Sequence, residues 1–209
     1  MESKTGIRIL EDLLRIILVV AIILSLVRYS WITVLISSLT LMLTYLPFWI
    51  ENKYHINIPL DFEFAIILFV FSSLFLGEIT KFYNLFWWWD IMLHAISAIA
   101  FGCIGFIIMF TLSKTNKISA KPIWIAIFAF CFALSIGAIW EILEFSIDQV
   151  LGMNMQKSGL IDTMWDLIVD AIGALISAVA GYAFMKGNQK SYLSRLIGLF
   201  IKDNPNLKI

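Results

Sequence analysis

From Trp140 to Asp170 the chain reads WEILEFSIDQVLGMNMQKSGLIDTMWDLIVD, and six of these residues are carboxylates: Glu141, Glu144, Asp148, Asp162, Asp166 and Asp170. Glu141, Glu144 and Asp148 recur at i, i+3 and i+7, and Asp162, Asp166 and Asp170 at i, i+4 and i+8. On a helix, such spacings bring neighbouring members onto one face. Asp90, His94 and Ser97 form a third set of the same kind. One imidazole among several carboxylates is ligand chemistry for a divalent cation: oxygen-rich sets suit calcium, magnesium or manganese, and a His with two or three acids can hold zinc. The same residues could instead relay protons or sodium, as chained Asp, Glu and His do in coupled membrane transport. A di-iron carboxylate centre draws on Glu-x-x-His pairs, and Glu141-x-x-Glu144 lacks the His, which argues against that class. The chain has no HExxH, G-x-S-x-G, P-loop or Rossmann glycine fingerprint.

The surroundings of these acids give them their meaning. Of 209 residues, 61% are apolar and 14% charged, with a mean hydropathy of +0.91. Such a composition is that of a polytopic membrane protein. Apolar runs long enough to cross a bilayer as helices fall at about 10–27, 31–49, 60–77, 88–112, 122–150 and 160–185. A stretch at about 190–202 has Tyr192, Leu193, Leu196, Ile197 and Phe200 at helical spacing with Arg195 and Lys202 opposite, which predicts an amphipathic helix on the cytoplasmic membrane surface. With six spans, twelve basic residues fall on one side (Lys4, Arg8, Arg15, Lys53, Lys114, Lys117, Lys121, Lys186, Lys190, Arg195, Lys202 and Lys208) and three on the other (Arg28, Lys81 and Lys157). Cytoplasmic segments collect Lys and Arg, so both termini are expected in the cytoplasm. The acids sort the opposite way, and the outer half is negative. Like charges held close in low dielectric need a cation or a bound proton between them.

A net charge of zero offers no argument for nucleic-acid binding. The N-terminal apolar run lacks a small-x-small cleavage pattern after Val27 and is expected to stay as a span. Cys103 and Cys131 sit in apolar runs and read as small hydrophobes. Trp87, Trp88 and Trp89 read as an interfacial aromatic belt, whereas Trp140 and Trp165 each precede a clustered acid and could shield it. Asp148 is expected to be a solvated helix-end residue, and Asp162 shares that simpler reading because an acid in a first helical turn is favoured by the dipole. Gly173, Ser177 and Gly181 recur every fourth residue, which predicts a closely packed, central sixth span.

The runs WWWDIMLHAISAIAFG, IWEILEF and DTMWDLIVDAIGA resemble the YjdF-like uncharacterised bacterial inner-membrane proteins over roughly residues 87–181, with a looser similarity to VanZ-like membrane proteins. The resemblance implies a site at Asp90, His94, Glu141, Glu144, Asp162 and Asp166. It also implies a further acid three residues before Asp162, where this chain has Gly159. It implies the bacterial cytoplasmic membrane as location and supplies no reaction.

The expectation is therefore an all-α helical bundle of six transmembrane spans forming one domain over 1–209, with cytoplasmic termini and a polar pocket in its outer half. Asp90, His94, Glu141, Glu144, Asp162 and Asp166 would hold a divalent metal ion (zinc, manganese, magnesium or calcium), with Glu141 and Glu144 as catalytic carboxylates acting on a membrane lipid or lipid-linked substrate. A proton- or cation-coupled carrier and a purely structural cluster are the alternatives.

Overall fold

A computed structural model describes residues 2–152, 154–188 and 190–205. Lys208 and the side chain of Lys4, both in the basic count, lie outside the described residues. Among the described residues every regular element is helical. Five helices are long and apolar enough to cross a membrane: Trp31–Tyr54, Leu60–Ile79, Trp89–Lys114, Pro122–Val150 and Leu160–Met185. The expected first span is helical as well, within α1 (Glu2–Val27), but Glu11, Asp12 and Arg15 interrupt its apolar run and it is not among the five. The chain divides into two compact units, Met1–Trp89 and Asp90–Ile209.

In the first unit, α1 packs on α2 (Trp31–Leu43), where Arg15 donates to the Thr44 carbonyl at 3.3 Å and to Asp12 at 3.2 Å. Pro47, lacking an N–H, splits the second expected span and opens a separate helix, α3 (Leu46–Tyr54). The third runs through α4 (Leu60–Val70) into a π-helical stretch, Phe71–Ile79, and the short α5 (Phe82–Leu85) follows. The three tryptophans do not act as one belt. Trp87 and Trp88 are exposed, while Trp89 is buried edge-on against Phe82.

The second unit consists of α6 (Trp89–Lys114), α7 (Pro122–Leu151), α8 (Leu160–Met185) and α9 (Tyr192–Asp203). Pro122 starts α7 where a missing N–H costs nothing, and Gly152 ends it in the left-handed conformation at φ 65°. The small-residue stripe of α8 faces inward, with Gly173, Ala174, Ser177, Ala178 and Gly181 all buried. A Cβ on Gly173 would lie 2.9 Å from the Ala95 carbonyl of α6, so these two backbones nearly touch. Gly102 of α6 meets Ser177 of α8 the same way, a methyl there falling 1.8 Å from the hydroxyl and 2.8 Å from Ser177 Cβ. Gly102→Ala is accordingly expected to push α6 from α8 and lower stability by ~1–3 kcal/mol. An unchanged unfolding midpoint in detergent would contradict that packing.

At the end of the unit where α6 and α8 finish, Cys103, Phe106, Ile125, Ala129 and Ile197 form a buried apolar cluster. Ile197 belongs to α9. The apolar face read from the sequence as membrane-seeking is therefore covered, at Ser194 and Ile197, by the protein itself. Elsewhere large apolar side chains point outward along the long helices, as lipid-facing surfaces do.

Candidate functional site

The acidic residues come together at the opposite end of the second unit, each delivered by helical spacing. The first turns of α6 supply Asp90 and His94, α7 supplies Glu141 and Glu144, and α8 supplies Asp162, Asp166 and Asp170. His94, Glu141, Glu144, Asp166 and Asp170 are buried.

His94 organises the arrangement. Its Nδ1 lies 3.2 and 3.3 Å from the two Asp170 carboxylate oxygens. A carboxylate only accepts, so this contact puts a ring proton on Nδ1; Nε2 then carries a lone pair in the neutral ring and a second proton in the imidazolium. Asp170 is 1% exposed and fits because Gly137, one helical turn before Glu141, has no side chain: a Cβ there would lie 2.1 Å from Asp170 Oδ2. On the other side of the ring, Nε2 faces Glu141 Oε1 at 3.7 Å, too long for a hydrogen bond. Glu141 is 4% exposed, and neither of its oxygens has a hydrogen-bond partner among the described residues. Thr163 and Gln156 approach it without meeting hydrogen-bond geometry.

Two sets of ligand atoms converge to within 4.8 Å of one another: His94, Glu141 and Asp166, all buried, and Asp90, Asp162 and Asp166, of which the first two are half-buried. Asp166 is common to both. Lys157 reaches into the second set, its Nζ donating to Asp90 Oδ2 at 2.7 Å. The loop that carries Lys157 lies between two glycines at positive φ, Gly152 (65°) and Gly159 (67°). Asp148 closes the loop by accepting from the backbone N–H of Met155 at 2.7 Å and of Gln156 at 2.9 Å. The Gln156 side chain donates to Thr163 Oγ1 at 2.6 Å.

Of the six residues expected to ligate, five fall in one set or the other. Glu144 falls in neither, and its carboxylate accepts from the indole of Trp140 at 2.9 Å. Trp140 thus holds one of the clustered acids, while Trp165 projects outward. Ser97, expected to continue the His94 face, turns its hydroxyl back to the His94 carbonyl at 2.9 Å. Asp148, expected to be a solvated helix end, instead organises the loop.

Three participants lie outside the expected ligand set. Asp170 had a signal, being one turn beyond Asp166 on the same face. Gly137, four residues before Glu141 in an otherwise apolar helix, had a weaker one. Lys157 had none, because its partner Asp90 is 67 residues away.

Chemically, one nitrogen and several oxygens around a shared carboxylate are suited to positioning one or two cations. His94, oriented by a buried carboxylate, has the support that metal-binding imidazoles characteristically receive.

The family described as "Predicted membrane protein (DUF2238)" matches residues 10–187. An uncharacterised protein of Thermotoga maritima is 29% identical over 136 residues, covering 65% of this chain and 69% of that protein. No solved structure matches.

Proposed function

This chain belongs to the DUF2238 family of predicted membrane proteins, and from that premise we propose that it is a six-span protein of the bacterial inner membrane with a divalent-cation site on its outer side. The lopsided Lys and Arg count supports that orientation, with both termini in the cytoplasm. The resemblance to YjdF-like inner-membrane proteins supports the location. In this reading His94 Nε2, Glu141 and Asp166 hold one cation, and Asp90, Asp162 and the shared Asp166 offer a second position. The nitrogen-containing set suits zinc or manganese, and the all-carboxylate set suits magnesium, calcium or manganese. The cation activates water against a lipid or lipid-linked substrate, or fixes the phosphate of such a substrate.

The observation that carries the proposal is Glu141. This carboxylate is only 4% exposed, neither oxygen has a hydrogen-bond partner among the described residues, and His94 Nε2 stands 3.7 Å away. With His94 neutral, as a metal-binding imidazole must be, it lacks the positive counterpart that burial of such a group demands, and a cation between the two would supply it. The test is elemental analysis of purified protein together with thermal unfolding in chelator and in added zinc, manganese, magnesium or calcium. Wild type should retain metal and gain stability from it, and His94→Ala should lose the retention. Metal-free protein indifferent to every ion and to chelator would refute the site.

A second reading rests on the line Glu141–His94–Asp170, which could pass protons through the two ring nitrogens. It makes the protein a proton- or cation-coupled carrier. Its signature would be a pH change in proteoliposomes that disappears in Glu141→Gln, with no phosphate released from lipid substrates.

A further inference from the structure

The other end of the second unit carries a separate site. Lys114, in the last turn of α6, lies with Arg195 and Lys202 of α9 around an open cleft of about 610 Å³. Its walls are apolar, formed by Phe184 near the end of α8 and by Leu199 and Ile201 of α9. The cleft exists because α9 is pinned to the bundle by Ile197 on its inner face, which turns Arg195, Leu199 and Lys202 outward along its other side. None of the three cations is paired with a carboxylate among the described residues. From His94 to Lys114 the helix runs ~30 Å, about the thickness of a hydrocarbon core, so the cleft stands at headgroup level on the face opposite the acidic cluster.

We propose that this cleft binds the phosphate headgroup of an anionic phospholipid, with Lys114, Arg195 and Lys202 on the phosphate and the Phe184, Leu199 and Ile201 wall against the first methylenes of its chains. Unpaired cations alone fit any phosphate. The apolar wall selects a lipid, because a small soluble anion gains nothing from Leu199, which is 47% exposed beside the charges. The positive-inside bias places basic residues broadly at this end. Lys121, Lys186 and Lys190 nevertheless do not line the cleft, and Lys186 lies over the Tyr182 ring at 5.6 Å. These three supply a charge-matched control.

The experiment compares the full chain in nanodiscs of phosphatidylcholine with and without phosphatidylglycerol, scoring the unfolding midpoint and, by native mass spectrometry from mixed micelles, the lipid retained. Wild type should be stabilised by phosphatidylglycerol and should retain it in preference to phosphatidylcholine. The variant Lys114→Gln/Arg195→Gln/Lys202→Gln should lose that preference by at least about tenfold, and Lys121→Gln/Lys186→Gln/Lys190→Gln should keep it. Equal loss in both variants would mean diffuse surface charge and overturn the proposal. So would equal stabilisation of wild type by inorganic phosphate, which would indicate a soluble-anion site. Should the cleft variant fold poorly, absence of lipid preference in wild-type mass spectra decides against the site by itself.

Discussion

Glu141→Gln is expected to do two opposite things: stabilise the ion-free protein and abolish its response to divalent cations. A buried charge without a partner costs several kcal/mol, and an amide of the same shape removes that cost. The gain in chelator should be ~3 kcal/mol, a rise of several degrees in the unfolding midpoint. Because the same oxygens would ligate the cation, added metal should no longer shift that midpoint. Two results would count against the site: a variant less stable than wild type in chelator, or one that still responds to the ion.

Gly137→Ala should be the most damaging change of a single methyl group in the second unit. The new Cβ would fall 2.1 Å from Asp170 Oδ2, 2.7 Å from its Cγ and 3.2 Å from its Cβ. Asp170 would have to swing away inside a site where it is 1% exposed, and its contact with His94 would break. The combined overpacking and lost contact should cost ~2–4 kcal/mol. Metal affinity should fall by ~10–100-fold, as for other losses of an imidazole's supporting carboxylate. Asp170→Ala removes the same contact from the other side, so the double variant should be little worse than the worse single one. Additive losses would show that Gly137 and Asp170 act independently and would remove the reason given for the glycine.

The helices were legible from composition, since runs of apolar residues bounded by charge admit few alternatives once a bilayer is the solvent. Their ends fall within about a turn of those expected, except that α1 begins at Glu2, about two turns before the expected first span, and Pro47 divides the second, whose last helix runs on to Tyr54. The acidic faces were legible because i, i+3 and i+4 spacing is a property of one helix. Which acid meets which neighbour was not, since that depends on how three helices rotate against one another. Rotation is set by Gly102 against Ser177 and Gly173 against Ala95, pairings that no spacing within one helix encodes. Hence spacing alone puts Asp166 in the site but does not separate Asp170, which supports His94, from Glu144, which accepts from Trp140 instead of joining either ligand set. The apolar face of α9 was read correctly as a face, but periodicity does not say whether lipid or protein covers it.

The glycine seam between α6 and α8 also has a meaning for biosynthesis. Chains are made from the N-terminus, so α6 and α7 emerge before α8 exists. Until α8 arrives, His94 has no Asp170 and Gly102 has no Ser177 to close on. α8 in turn carries Asp162, Asp166 and Asp170 towards the bilayer, where a lone acid at mid-depth costs about 2.5–3.5 kcal/mol at insertion. Helix-by-helix insertion followed by lateral association, the usual order for such bundles, would leave these groups unmatched in lipid. Insertion of α8 directly against α6 along this seam would shelter the carboxylates as they enter. The polar site would then be the last part of the bundle to form, and a nascent chain stalled before α8 would be a natural target for membrane quality control.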